Sequence, residues 1–163
     1  MMIRIRNIPE DGVDLDFAIP ASLVRSSFVQ GDQTVNLFKN QIICSIHLNA
    51  NKKDVYLRGN AKTTIEPICS RCGEIFSHPL SLNMSLTCQP AEKKKINSYL
   101  ESDEGLVFYN HDELDLSEIV REQLLLSLPI QTICQPNCLG LCPECGANLN
   151  QGDHACLQKR AKH

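Results

Sequence analysis

The run Ile42-Ile-Cys44-Ser-Ile46-His-Leu48-Asn-Ala-Asn-Lys-Lys-Asp54-Val-Tyr-Leu57-Arg-Gly59-Asn-Ala61-Lys-Thr-Thr-Ile65 decides the fold class. Ile42, Cys44, Ile46 and Leu48 recur at every second position, as do Val55, Leu57, Gly59, Ala61, Thr63 and Ile65. Successive side chains of an extended chain point to opposite sides, so a period of two lines one face of a strand. The polar stretch 49–54 between the two runs reads as a turn joining antiparallel strands. Leu80, Leu82, Met84 and Leu86 repeat the pattern once more. Three such runs with polar connections predict an antiparallel β-meander or a partly closed barrel.

Outward from this centre the signals change. Residues 2–8 alternate apolar and basic and predict a first strand. Pro9, Gly12 and Pro20 mark residues 9–20 as turn or extended chain, and residues 21–29 behind Pro20 predict a short helix. On the other side, residues 89–104 are polar, change charge sign midway and read as an exposed loop, followed by a short strand at 106–109. Asp115-Leu-Ser-Glu118 is a helix start with Asp115 as N-cap and Glu118 at the third helical position. Leu116, Ile119, Val120, Leu124 and Leu128 then follow at helical spacing until Pro129 stops the helix. The fold class expected is α+β, with this amphipathic helix packed on the sheet and leading into a C-terminal zinc-knuckle module. The division expected is a core domain over 1–133 and a metal module with a basic tail over 134–163.

Nine cysteines in 163 residues need a reason. The N-terminus has no apolar run long enough for a signal peptide, and no window approaches a membrane span. The expected compartment is therefore the reducing cytoplasm, where cysteines serve as metal ligands or core thiols rather than disulfides. Cys142-Pro-Glu-Cys145-Gly146 is a compact turn that presents two thiolates to one metal, and Cys69-Ser-Arg-Cys72-Gly73 is an earlier copy. Cys134 and Cys138, four apart, can also chelate, and His154 and Cys156 close the series. Cys69, Cys72, Cys134, Cys138, Cys142, Cys145, His154 and Cys156 would fill two tetrahedral zinc sites. Alternatively, one zinc would take the two Cys-x-x-Cys turns, or residues within 134–156 alone; spacing does not decide the pairing. Cys44 and Cys88 remain as buried thiols on strands.

Catalytic readings find little support. His-Glu-x-x-His, the zinc deaminase pattern, a phosphate loop, a dinucleotide fingerprint and a nucleophile elbow are all missing. A redox Cys-x-x-Cys belongs at a helix N-terminus in a βαβ unit, whereas Cys69 and Cys72 lie among strands. A net charge of −3 argues against a grip on nucleic acid by the whole surface, leaving local patches. Arg71, Lys159, Arg160 and Lys162 are the cations on or after the metal module that would touch RNA.

The segment from Leu114 through Pro129, Cys134 and Cys138-Leu-Gly-Leu-Cys142-Pro-Glu-Cys145-Gly-Ala-Asn-Leu-Asn150 resembles the YceD family, the large ribosomal RNA subunit accumulation proteins. Gly59 and Cys69-Ser-Arg-Cys72 match the same family, and the resemblance extends over residues 35–157. It implies a bacterial or plastid protein needed for normal levels of 23S ribosomal RNA, and does not imply a known enzymatic activity. Relatives often end the motif with Cys-x-Cys; His154-Ala-Cys156 here keeps a zinc donor. The function expected is a non-enzymatic zinc-binding factor in large-subunit biogenesis. Its partner would be ribosomal RNA or an assembly intermediate, reached directly or through a ribosomal protein, with no membrane and no small-molecule substrate. The competing expectation is a zinc-ribbon adaptor in transcription or another protein complex. A third is a thiol redox enzyme or zinc hydrolase.

Overall fold

The computed structural model describes residues 1–24, 27–30, 33–92, 105–152 and 156. Among these residues, nine strands and one α-helix follow in order: β1 (Met2–Arg4), β2 (Val13–Ile19), β3 (Ser27–Gln30), β4 (Gln33–Asn36), β5 (Ile42–Asn51), β6 (Asp54–Ile65), β7 (His78–Pro90), β8 (Leu106–Tyr109), β9 (Glu113–Asp115) and α1 (Leu116–Leu126). The three period-two runs are β5, β6 and β7, paired antiparallel with Leu48 opposite Leu57 and Leu57 opposite Leu86. Their inward residues are buried, with Ile42, Cys44, Leu48, Val55, Leu57, Ala61 and Cys88 fully so. Burying a leucine or isoleucine in this way contributes about 1.5–3 kcal/mol.

The sheet is mixed and open, which corrects the expectation of an antiparallel meander or partly closed barrel. Its order is β2-β5-β6-β7-β8, and β8 runs parallel to β7. A parallel neighbour requires a long crossover, and residues 91–105 between β7 and β8 are long enough to supply one. The opposite edge is β2, over residues expected to be turn or extended chain. Val13, Leu15, Phe17 and Ile19 alternate with Asp14, Asp16 and Ala18, a strand signal that the flanking Pro9, Gly12 and Pro20 obscure. The expected helix at 21–29 is instead a 3-10 turn at Ala21–Leu23 followed by β3, which pairs with β4 as a separate hairpin. The expected strand over 2–8 stops at Arg4 and becomes a 3-10 turn, while β1 pairs with β9 rather than joining the main sheet. Most of the expected loop at 89–104 lies outside the described residues, although β7 takes its first two positions.

Helix α1 forms as its sequence directs. The Asp115 carboxylate accepts from the backbone N–H groups of Ser117 and Glu118 at 3.0 and 3.4 Å. Glu118 turns outward to pair with Arg121. Leu116, Ile119, Val120 and Leu124 are buried in the same core as the inner face of the sheet. Ser127 caps the end, and its hydroxyl donates to the Leu124 carbonyl. After Pro129 the chain crosses back to the loop between β6 and β7, where a second, smaller buried cluster forms around Cys69, Cys72 and Cys138. Among the described residues, no helix is long and apolar enough to cross a membrane.

Candidate metal centre

The two Cys-x-x-Cys turns have the same backbone. Cys69 N–H donates to Glu74 O, and Gly73 N–H donates back to Cys69 O, at 2.8 and 2.9 Å. Cys142 N–H donates to Ala147 O, and Gly146 N–H to Cys142 O, at the same two distances. Each turn is closed by a one-residue bridge, Ile68 with Ile75 and Leu141 with Asn148. Gly73 and Gly146 leave with φ of +75° and +71°, a conformation that costs an L-residue with a Cβ about 1–2 kcal/mol. This turn geometry directs both sulfurs of each pair to one side.

The tertiary structure sorts the thiols into two groups. The sulfurs of Cys69, Cys72, Cys134 and Cys138 lie within 4.8 Å of one another, as do those of Cys142, Cys145 and Cys156. Cys69 Sγ is 3.8 Å from Cys138 Sγ, and Cys72 Sγ is 3.7 Å from Cys134 Sγ. A tetrahedral thiolate site with metal–sulfur bonds of about 2.3 Å has edges of about 3.8 Å. The first group therefore fits a four-coordinate ion, and the second supplies three corners. Of the two single-ion arrangements expected as alternatives, neither matches this sorting. The Cys-x-x-Cys turns belong to different groups, and Cys69 and Cys72 have partners in Cys134 and Cys138.

The thiols of the first group compete for charge. Burial opposes ionisation of Cys69, but the backbone N–H groups of Cys134, Cys72 and Arg71 outweigh it and hold this thiol at about 6. Cys134 is pushed up to about 12 by burial and then by its neighbours Cys138, Cys69 and Cys72. The Glu74 N–H favours the Cys72 thiolate, yet burial and the sulfurs of Cys69 and Cys138 leave its pKa raised. One thiolate thus forms readily and opposes ionisation of Cys134 and Cys72. A bound cation removes that conflict, and its binding releases the protons. In the second group, the neighbouring Cys145, burial and Cys142 push Cys156 up to about 12. Cys44 and Cys88 lie apart, each raised to about 11 by burial alone, as core thiols.

Residues that sequence reasoning overlooked hold the two groups together. Ser70 N–H donates to Thr132 O at 2.8 Å, and Thr132 Oγ1 donates to Ile68 O at 2.8 Å, clamping the returning chain onto the first turn. Asn150 accepts from Leu139 N–H at 2.9 Å, and its amide donates to Cys138 Sγ at 3.4 Å. Asn148 and Gln151 both donate to Glu74, tying the second turn to the first. The amide-rich, uncharged run 147–151 beside Cys145 is the signal that could have found them. Arg71 is exposed, but one guanidinium nitrogen donates to Cys138 O at 3.1 Å, so it braces the module as well as presenting charge. His154, Lys159, Arg160 and Lys162 lie outside the described residues.

A family model described as Large ribosomal RNA subunit accumulation protein YceD matches residues 57–163, more than half of the chain. This chain belongs to the YceD family. The matched segment contains all of the clustered cysteines and starts within β6. Two curated relatives are chloroplastic YCED homologs 1, named as large ribosomal RNA subunit accumulation proteins. The one from Arabidopsis thaliana is 29% identical over 66% of this chain and 41% of its own length. The one from Zea mays is 26% identical over 69% of this chain and 47% of its own length. The chain thus spans less than half of these YceD relatives. No solved structure matches it.

Proposed function

We propose that this chain is a non-enzymatic, zinc-binding factor that supports accumulation of the large-subunit ribosomal RNA and biogenesis of the large ribosomal subunit, working in the cytoplasm. The observation that supports this reading most is the coincidence of family match and geometry. The segment that matches the accumulation-protein family is the one that gathers seven thiols into two compact groups. Cys69, Cys72, Cys134 and Cys138 would hold one zinc, and Cys142, Cys145 and Cys156 a second, with His154 as its fourth ligand. Zinc bound at all-protein sites supplies folding free energy and rigidity rather than an activated water. The residues around it brace the turns through Thr132, Asn148 and Asn150. The division proposed is a core over 1–133, which contributes the first pair of thiols, and a module over 134–163. Partners of this reading are ribosomal RNA or a large-subunit assembly intermediate, met through Arg71 and the basic tail residues Lys159, Arg160 and Lys162 or through a ribosomal protein.

The test is sedimentation. Tagged chain from its native host is expected to travel with large-subunit precursors, and its depletion is expected to lower large-subunit RNA relative to small-subunit RNA. A tagged chain found with RNA polymerase or only in the soluble pool, with unchanged RNA ratios on depletion, overturns the reading.

A further inference from the structure

The face of the main sheet turned away from α1 is open, and its chemistry is graded from edge to edge. On the β2 edge, the two carboxylates are engaged by β5: Asp14 meets His47 Nδ1 at 2.8 Å, and Asp16 accepts from the Ser45 hydroxyl. The next strand inward presents Tyr56, Arg58, Asn60 and Lys62 to the same side, alternating with buried Val55, Leu57 and Ala61. Arg58 and Lys62 are exposed and form no ion pair among the described residues. Beyond them, β7 adds Asn83 and Ser85, directly opposite Asn60 and Arg58, and contains no acidic residue at all. The result is a stripe two strands wide and rich in hydrogen-bond donors, with Asp54 at the start of β6 as its one carboxylate and an exposed aromatic, Tyr56, beside it. Between residues 126 and 151 the metal module offers less charge than this stripe: Glu144 is the only charged side chain there, and nearby Arg71 already donates to the Cys138 carbonyl.

We propose that this stripe binds a single-stranded segment of RNA. Arg58 and Lys62, four residues apart on one strand and so about 13 Å from each other, would each take a phosphate. Asn60, Asn83 and Ser85 supply neutral donors to phosphate and sugar oxygens between them, and Tyr56 offers a face on which a base stacks. Charge complementarity selects a polyanion, and the flat donor-rich surface with a stacking ring selects a single strand over a protein. The inference deepens the ribosomal reading by naming its partner surface, and it rests on that reading only for the source of the RNA.

The test is fluorescence anisotropy with a labelled, unstructured 20-nucleotide RNA and the full chain. Arg58→Gln/Lys62→Gln is expected to bind at least ten-fold more weakly. Its log–log salt slope should be shallower by about 1.4, the share of two phosphates on a single strand. Arg58→Lys/Lys62→Arg is expected to bind as the wild type does, and this charge-preserving pair separates lost contact from lost fold. Lys159→Gln/Arg160→Gln/Lys162→Gln is expected to weaken binding less than the charge-removing sheet pair does. The proposal is overturned if the wild type does not bind this RNA, if the charge-removing pair binds unchanged, or if only the tail variant loses affinity. Sedimentation separates this failure from that of the ribosomal reading: a wild type that still travels with large-subunit precursors keeps the latter.

Discussion

Asn150 shows how much of the candidate centre depends on residues that carry no charge and bind no ion. Its carboxamide joins the Leu139 backbone to the Cys138 sulfur. Such outer partners orient ligands, and losing one typically costs 10–100-fold in metal affinity. Asn150→Ala is therefore expected to release metal to a competing chelator at 10–100-fold lower chelator concentration, with an unchanged circular dichroism spectrum for the sheet. Equal retention by variant and wild type would reduce Asn150 to a surface residue. Gly59 makes a different point. A Cβ there would meet the Ser45 carbonyl oxygen and lie 2.8 Å from Ile46 Cα. Gly59→Ala is expected to lower stability by about 1–3 kcal/mol through overpacking, read as a shifted urea midpoint. The position falls in the apolar register of β6, so its need for glycine is invisible until β5 is laid beside it.

At the scale of the element, α1 was the most legible part of the chain. Its cap, apolar stripe and stop are local, and each acts over a few residues. Asp115→Ala is expected to cost about 1 kcal/mol. The pH dependence has a definite sign. Burial opposes the charge on Asp115, but the Met1 ammonium and the N–H groups of Glu118 and Ser117 outweigh it, so its carboxyl sits below the usual value. A depressed carboxylate stabilises above its ordinary range, and that contribution is lost as pH falls through the folded value. Urea melts should accordingly show Asp115→Asn less stable than wild type at pH 7, by about 1 kcal/mol at most because the group is partly exposed, with the gap closing in acid below the ordinary carboxylate range. A gap of the same size at both pH values would remove the charge from the explanation. Strands were less legible than the helix. β2 is hidden by flanking prolines, and β8 is a short apolar run that does not itself encode its parallel pairing with β7.

At the scale of the whole molecule, the described residues form two buried clusters, a large one between sheet and helix and a small one around the thiols. A strong chelator is therefore expected to loosen residues 66–76 and 130–151, seen as fast amide exchange, while β5 to β7 stay protected. Exchange that speeds up evenly across the sheet would show that the core depends on the metal. Wild-type chain is expected to contain two zinc ions by elemental analysis, and Cys69→Ser/Cys72→Ser and Cys142→Ser/Cys145→Ser one each; the second variant should also be several kcal/mol less stable. Loss of all metal in either variant would mean that the two groups act as one site. By itself the sequence determined the identity of the strands β5 to β7, the helix with its cap, and the chemistry of the thiols, because periodicity, capping and ligand type are properties of near neighbours. Only the tertiary structure decided that β2 and β8 flank those strands, that the sheet stays open, and that Cys69 and Cys72 join Cys134 and Cys138. Those outcomes depend on contacts between residues distant in sequence, from Thr87 with Leu106 at a separation of 19 to Cys69 with Cys138 at 69, and no local pattern encodes them.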